Sequence, residues 1–223
     1  MTTAIHHHLD LRAVVRTEEL DWSPSSVSGV ERRIIERDGG EIARATSLVR
    51  YAAGSNFPRH VHGLGEEIMV LVGDFADEYG RYGPGTYIKN GVGSSHAPSS
   101  QHGCVLLVKL RHMNPDDTER VVVDTTKATW HQGLVGGLTV LPLSAFEASH
   151  TALVRWAPQT FFSPHRHYGG EEIYVISGVF EDEHGRYEAG TWLRSPHLSA
   201  HTPFSREGCE ILVKTGHLPT TSA

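Results

Sequence analysis

The chain has 223 residues, 39% of them hydrophobic and 21% charged, with a formal net charge of −6. That length buries real cores without disulfide staples and leaves room for one large domain or two small ones. The acidic balance lacks the basic footprint of a nucleic-acid binder. The longest apolar runs, such as "CVLLV" at 104–108, are far too short to cross a bilayer. Neither nucleic acid nor a membrane is therefore expected as a partner.

In chain order, the opening "MTTAIHHHLDLRAVV" has no basic segment leading into an apolar one, so no secretory signal is expected. Cys104 and Cys209 lie far apart and form no CxxC pair, which predicts reduced thiols and a cytoplasmic protein. "RAVVRT" at 12–17 is valine-rich and reads as a strand, as does the alternating "EIARATSLVRYA" at 41–52. "FPRHVHGLGEE" at 57–67 follows. Residues i and i+2 of a strand share a face, which sets His60 and His62 about 7 Å apart at Cα. Both imidazoles then reach one metal at about 2.1 Å. The turn "GLG" leads back into "EEIMVLVGDFADEYG", a strand, a glycine, a strand and a turn, bringing Glu66 toward the same pocket. "DEYGRYGPG" reads as a hairpin turn with Gly80 at positive φ and a solvated acidic pair. His96 arrives thirty residues after Glu66, behind the small residues of "VGSSH". Three imidazoles and a carboxylate suit zinc, iron, manganese or nickel, with open positions for water or substrate. "CVLLVKL" is a buried strand. Its Cys104 reads as a small buried hydrophobe, with an oxidant-sensing thiol as the sharper alternative. The polar "RHMNPDDTER" at 111–120 marks a boundary.

Beyond that boundary the chain repeats itself. Shifted by 105, residues 60–112 lie on 165–217 without a gap, and 26 of the 53 positions are identical. "TSLVRYA" at 46–52 matches "TALVRWA" at 151–157. Further upstream the shift is 108, with Trp22 on Trp130 and "RAVVRT" on "RVVVDT" at 120–125. This is too long a period for a solenoid and indicates two copies of a domain, 1–112 and 113–223. Short strands punctuated by Gly and Pro, with weak helical periodicity, predict an all-β sandwich or barrel in each copy. The second copy carries His165, His167, Glu171 and His201 at the same spacings, with Gly185 in the place of Gly80. Two sites for a divalent transition metal are expected, zinc first, with iron, manganese or nickel also suited.

"GSNFPRHVHGLGEEIMVLVG" resembles the first cupin motif, and "GTYIKNGVGSSH" and "GTWLRSPHLSAH" resemble the second. The stretch from "RATSLVRYA" to "GTYIKN" is particularly similar to the ChrR-like cupin family, the domain attached to zinc-dependent anti-sigma factors. The resemblance covers both halves. It implies two tandem cupin β-barrels of jelly-roll type, a bicupin, with metal held inside. It implies ligands at His60, His62, Glu66 and His96, and at His165, His167, Glu171 and His201, with Glu67 and Glu172 facing the opposite way. Gln159 replaces Gly54, Gly91 stands opposite Pro196, and Leu198 replaces Gly93; none of these departures removes a ligand. The helical His-x3-Cys-x2-Cys domain of the anti-sigma factors has no counterpart, so a sigma factor is not expected as partner. The reading that follows is a metal-binding, small-molecule or oxidant-responsive module. Its alternative is a metal-dependent dioxygenase, or related enzyme, acting on a small carbonyl compound. Ile68, Val70, Tyr174 and Trp192 are expected to line the interiors. The two halves are expected to pack as a pseudo-dimer bridged by strands near 12–16 and 120–124, with homodimerisation left open.

Overall fold

A computed structural model of the chain describes residues 3–220. Strands account for nearly all of the regular structure, broken by a short 3-10 turn at Thr17–Glu19. No helix among the described residues is long and apolar enough to cross a membrane. The chain folds as two compact units, one of residues 3–7 and 19–128, the other of 8–18 and 129–220. The sequence repeat divides at 112 and 113, whereas the compact units each take in the strand that precedes the other copy.

In the first unit the main sheet runs, in spatial order, Thr3–Ile5, Val30–Gly39, Arg44–Tyr51, Cys104–Leu110, Glu66–Gly73, Thr86–Asn90 and Val121–Asp124. Four short strands, Gly80–Tyr82, Phe75–Asp77, Ser99–Ser100 and Ser55–Asn56, make a second sheet. Side chains alternate across the sheet, so Ile68 and Val70 point inward with Glu66. They meet Ile88, Leu106, Phe75 and Tyr82 in one apolar core. Each aliphatic side chain fully buried there contributes about 1.5–3 kcal/mol.

The second unit repeats the plan. Its sheet runs His131–Gln132, Leu138–Phe146, Ser149–Trp156, Cys209–Thr215, Glu171–Asp182, Thr191–Ser195 and finally Ala13–Arg16. Ile173, Val175, Phe180, Leu193 and Ile211 form its core. Ile68 and Val70 line the first interior as expected. Tyr174 and Trp192 are buried but lie outside the second core, because the alternation that turns Ile173 and Val175 inward turns Tyr174 away.

Both copies bend their central strand at one point. The register against the Cys104 strand slips between Val105 and Leu106, and the Cys209 strand shows the matching irregularity. Gly73 and Gly178 close the bend at φ 78° and 71°. A Cβ there would fall 1.9 Å from Gly103 O and 2.1 Å from Gly208 O, so only glycine fits. Gly80 and Gly185, expected at positive φ, are not in that region. Their turns are tied instead by Asp77 and Asp182, whose Oδ1 atoms accept the Gly80 and Gly185 N–H groups at 3.1 and 3.0 Å. Gln159 and Leu198, the residues that depart from the motif glycines, do adopt positive φ, both at 61°.

Candidate metal centres

The histidines are delivered by a two-stranded ribbon in each unit. His60–Val61 pairs antiparallel with Ser95–His96, placing His60 directly opposite His96. His62 continues the ribbon, its N–H donating to Ser94 O at 2.8 Å. Glu66 enters from the head of the next strand, opposite Asn90. Ligand atoms of His60, His62, Glu66 and His96 all lie within 4.8 Å of one another. In the second unit His165 sits opposite His201, and His165, His167 and His201 converge by the same measure. Glu171 Oε2 is 3.5 Å from His167 Nε2 and 3.6 Å from His201 Nε2. All eight predicted residues are thus brought to two places, four to each, with His165 less close to its carboxylate than the other two imidazoles are. Glu67 and Glu172 face the other way, toward His112 Nε2 at 2.7 Å and His217 Nε2 at 3.0 Å.

The tautomers follow from the partners. His60 Nδ1–H donates to Pro58 O at 2.9 Å and His165 Nδ1–H to Ser163 O at 3.0 Å. A carbonyl only accepts, so each Nε2 turns a bare lone pair to the cluster. His62 Nε2 and His96 Nε2 are buried without a hydrogen-bond partner. Burial, reinforced by the neighbouring imidazoles, pushes His62 and His167 down to about 3, so both are neutral at physiological pH. His62 Nε2 and His96 Nε2 face Glu66 Oε2 at 3.3 and 3.4 Å, and buried acceptors crowded in this way are mutually unfavourable unless a cation sits among them. A divalent transition metal fits this donor set: it takes neutral imidazole nitrogens and an ionised carboxylate and satisfies all the orphaned atoms together.

Behind each cluster stands a group that reads in the sequence as part of a solvated turn. Asp77 Oδ2 accepts from His96 Nδ1 at 3.3 Å, and its Oδ1 accepts the Tyr82 hydroxyl at 3.0 Å. Arg120 donates to that hydroxyl at 2.8 Å and to Asn90 Oδ1 at 3.3 Å, while Asn90 donates to Glu66 Oε2 at 3.0 Å. The second unit repeats this with Asp182, Tyr187 and Arg12: His201 Nδ1 lies 3.5 Å from Asp182 Oδ2, and Arg12 donates to the Tyr187 hydroxyl. A carboxylate behind a ligating histidine fixes its tautomer and raises its basicity. Burial pulls the Asp77 carboxyl upward, but hydrogen bonds from His96, the Tyr79 N–H and Tyr82 hold it below its ordinary value. The signal was available: Asp77, Tyr82 and Arg120 recur at the repeat shifts as Asp182, Tyr187 and Arg12.

The two centres differ at the carboxylate. Asn90, which holds Glu66, has Ser195 in its place in the second copy. Burial pushes Glu171 up to about 7, partly offset by His201. Its ordinary value is near 4.5, so the metal-free fold takes up a proton here as pH falls through 7, and metal must displace it. Burial pulls His201 down, but the hydrogen bond to Asp182 and the Glu171 charge hold it above its ordinary value. Its Nε2 shares a hydrogen bond with His167 Nε2 at 3.0 Å, so protons on Glu171 and on His201 both compete with metal at the second centre. In a His60→Ala chain, metal affinity measured by competition with a chromophoric chelator is expected to fall about tenfold per pH unit below 7. Glu171→Gln, itself weaker, should make that slope shallower; an unchanged slope would place the competing proton on His201 alone.

The first centre opens on a cavity of about 350 Å³ lined by His60, His62, Glu66 and His96 and by apolar side chains including Val49, Tyr51, Phe57 and Leu106. Cys104 and Cys209 are buried among core residues, and burial pushes both thiols up to about 11, away from the thiolate.

Two jelly-roll units in one chain, each gathering His-x-His, a glutamate and a distant histidine on its inner face, define a tandem cupin protein with candidate metal centres. The chain belongs to the ChrR cupin-like domain family, whose model matches residues 10–114 and again 118–219. No curated protein sequence matches it. Among solved structures, a candidate dioxygenase from Nostoc punctiforme is 12% identical at a TM-score of 0.77, over 96% of this chain and 85% of its own. A candidate glyoxylate-induced protein from Pseudomonas aeruginosa is 13% identical at 0.72, over 96% and 91%. A Bacillus subtilis oxalate decarboxylase variant is 14% identical at 0.62, over 91% and 76%. At such identities the likeness is one of fold.

Proposed function

We propose that the protein is a two-metal bicupin enzyme whose first centre acts on a small, largely apolar molecule beside a divalent transition metal. The cavity carries this reading: most of its wall is apolar, with Arg32, Glu41 and Arg111 among the exceptions, and the candidate ligands His60, His62, Glu66 and His96 form part of its lining. Sites of this build, apolar with a few converging polar groups, are where small molecules are bound and transformed. A bound metal would supply Lewis acidity and open coordination positions for substrate and O₂. Zinc, iron, manganese and nickel all suit the donors, and iron fits oxygen chemistry best. The solved neighbours named for dioxygenase and oxalate decarboxylase activities support metal chemistry on small oxygenated compounds.

The sequence alone ranked a small-molecule or oxidant-responsive module above an enzyme. The cavity favours the enzyme, and thiols this buried and this far from ionisation give an oxidant sensor little to work with. Oxygen uptake by the iron-loaded chain over a panel of small carbonyl compounds tests the reading. Uptake is expected with one compound class, lost in His60→Ala and kept in His165→Ala. Binding without turnover across the panel and across all four metals would return the protein to the class of binding modules.

A further inference from the structure

Arg111 stands out in the first cavity. It lines the wall beside the His-x-His loop, where a Cβ on Gly63 would meet its Nη1 at 3.0 Å. The residue is half-buried, and its guanidinium has no hydrogen-bond or ion-pair partner among the described residues. Its backbone sits at φ 59°, a left-handed conformation that disfavours any residue with a Cβ. The matching position of the second copy is Gly216, at φ 74°, where a Cβ would fall 1.9 Å from Ala148 O. Glycine is thus the undemanding residue for this backbone, and the first copy departs from it to present a charged side chain in the cavity. Strain kept at such a place points to a use for the side chain. The other arginine of this wall, Arg32, is engaged by Glu41 at 3.2 Å, and its counterpart in the second copy is Val140.

From this we infer that the first cavity takes a monocarboxylate with an apolar body, its carboxylate paired with the Arg111 guanidinium. The planar fork of arginine matches a carboxylate in a bidentate pair. The apolar residues opposite accommodate the rest of the molecule. The second copy, with Gly216 and Val140 in the corresponding places, lacks this recognition. The inference rests on the reading that the first cavity is a small-molecule site.

The test is calorimetric titration of the zinc-loaded full chain with butyrate, hexanoate, octanoate and benzoate, each against its primary amide. Carboxylates are expected to bind one per chain and more tightly than their amides. Arg111→Gly, which installs the second copy's residue and relieves the backbone, should weaken the carboxylates by about 10- to 100-fold and leave the amides unchanged. Arg111→Lys should fall between. Carboxylates that bind Arg111→Gly undiminished are held by the metal alone, and that overturns the inference. So does a panel that fails to bind while zinc analysis shows the first centre filled, and there the metal reading stands. Conversely, Arg111-dependent binding that persists in a chain with no metal at the first centre upholds the inference and removes the metal reading.

Discussion

Protein purified with transition metal available is expected to hold roughly two ions per chain by mass spectrometry, about one after His60→Ala and close to none after His60→Ala with His165→Ala. Each substitution removes one imidazole of three, the one whose Nε2 lone pair is already aimed at the centre by a carbonyl behind its Nδ1–H. What remains at each site is two imidazoles and a buried carboxylate, a set that still binds a divalent ion but with one donor fewer, so the ion should be lost to a chelator that the unaltered centre resists. The thermal consequence is large. A ligand at about a hundred times its dissociation constant adds about 2.7 kcal/mol, or roughly 5–10 °C for a chain of this length. Metal also relieves a cost that these centres carry without it, since Glu66 and Glu171 are both pushed up by burial, an effect that His96 and His201 only partly offset. Chelator at neutral pH should therefore lower the melting temperature by at least several degrees. If the double variant keeps both metals, or if the melting curve ignores chelator, the ligand assignment fails.

Much of this was legible in the residues. His-x-His, the glutamate four positions on and the late histidine appear twice at identical spacings, and strand alternation places Glu66 with Ile68 and Val70 on one face. Two things were hidden. Asp77 and Asp182 lie in strings that look like ordinary hairpin turns, and a turn aspartate usually just accepts local N–H groups. Here one oxygen does that while the other reaches a histidine nineteen residues further along the chain. Local pattern carries no information about that second contact; only recurrence of Asp, Tyr and Arg in both copies did. The second hidden feature is which strand completes which sheet. The valine-rich segments at 13–16 and 121–124 are equivalent in sequence, and each could edge either sheet. Edge choice is decided by long-range pairing, to which periodicity is blind.

That pairing carries the last expectation. Ala13–Arg16 lies along Thr191–Ser195, Ala13 opposite Arg194 and Arg16 opposite Thr191. Ala13 and Val15 are buried by it, and Arg194, itself buried, donates to the carbonyls of His8 and Leu11 at 2.8 and 3.3 Å. Arg12, one residue before the strand, reaches Tyr187 and so backs Asp182 and His201. Removing residues 1–18 therefore strips the edge of the second unit and leaves buried backbone groups without partners, each costing about 1–3 kcal/mol. The sum is comparable with the whole stability of a small domain. A deletion at the N-terminus should thus empty the metal centre of the C-terminal copy. In a His60→Ala background, metal content should drop from about one to near zero on deleting 1–18, and Val15→Asp should reproduce the loss. The reciprocal holds for the first unit, where Val121–Asp124 lies along Thr86–Asn90 and Arg120 bonds Tyr82. A fragment spanning 1–128 should accordingly melt higher than one spanning 1–112, although the latter matches the sequence repeat. Equal melting temperatures, or a second centre that keeps its metal without residues 1–18, would mean that the edge strands only decorate sheets that are stable without them.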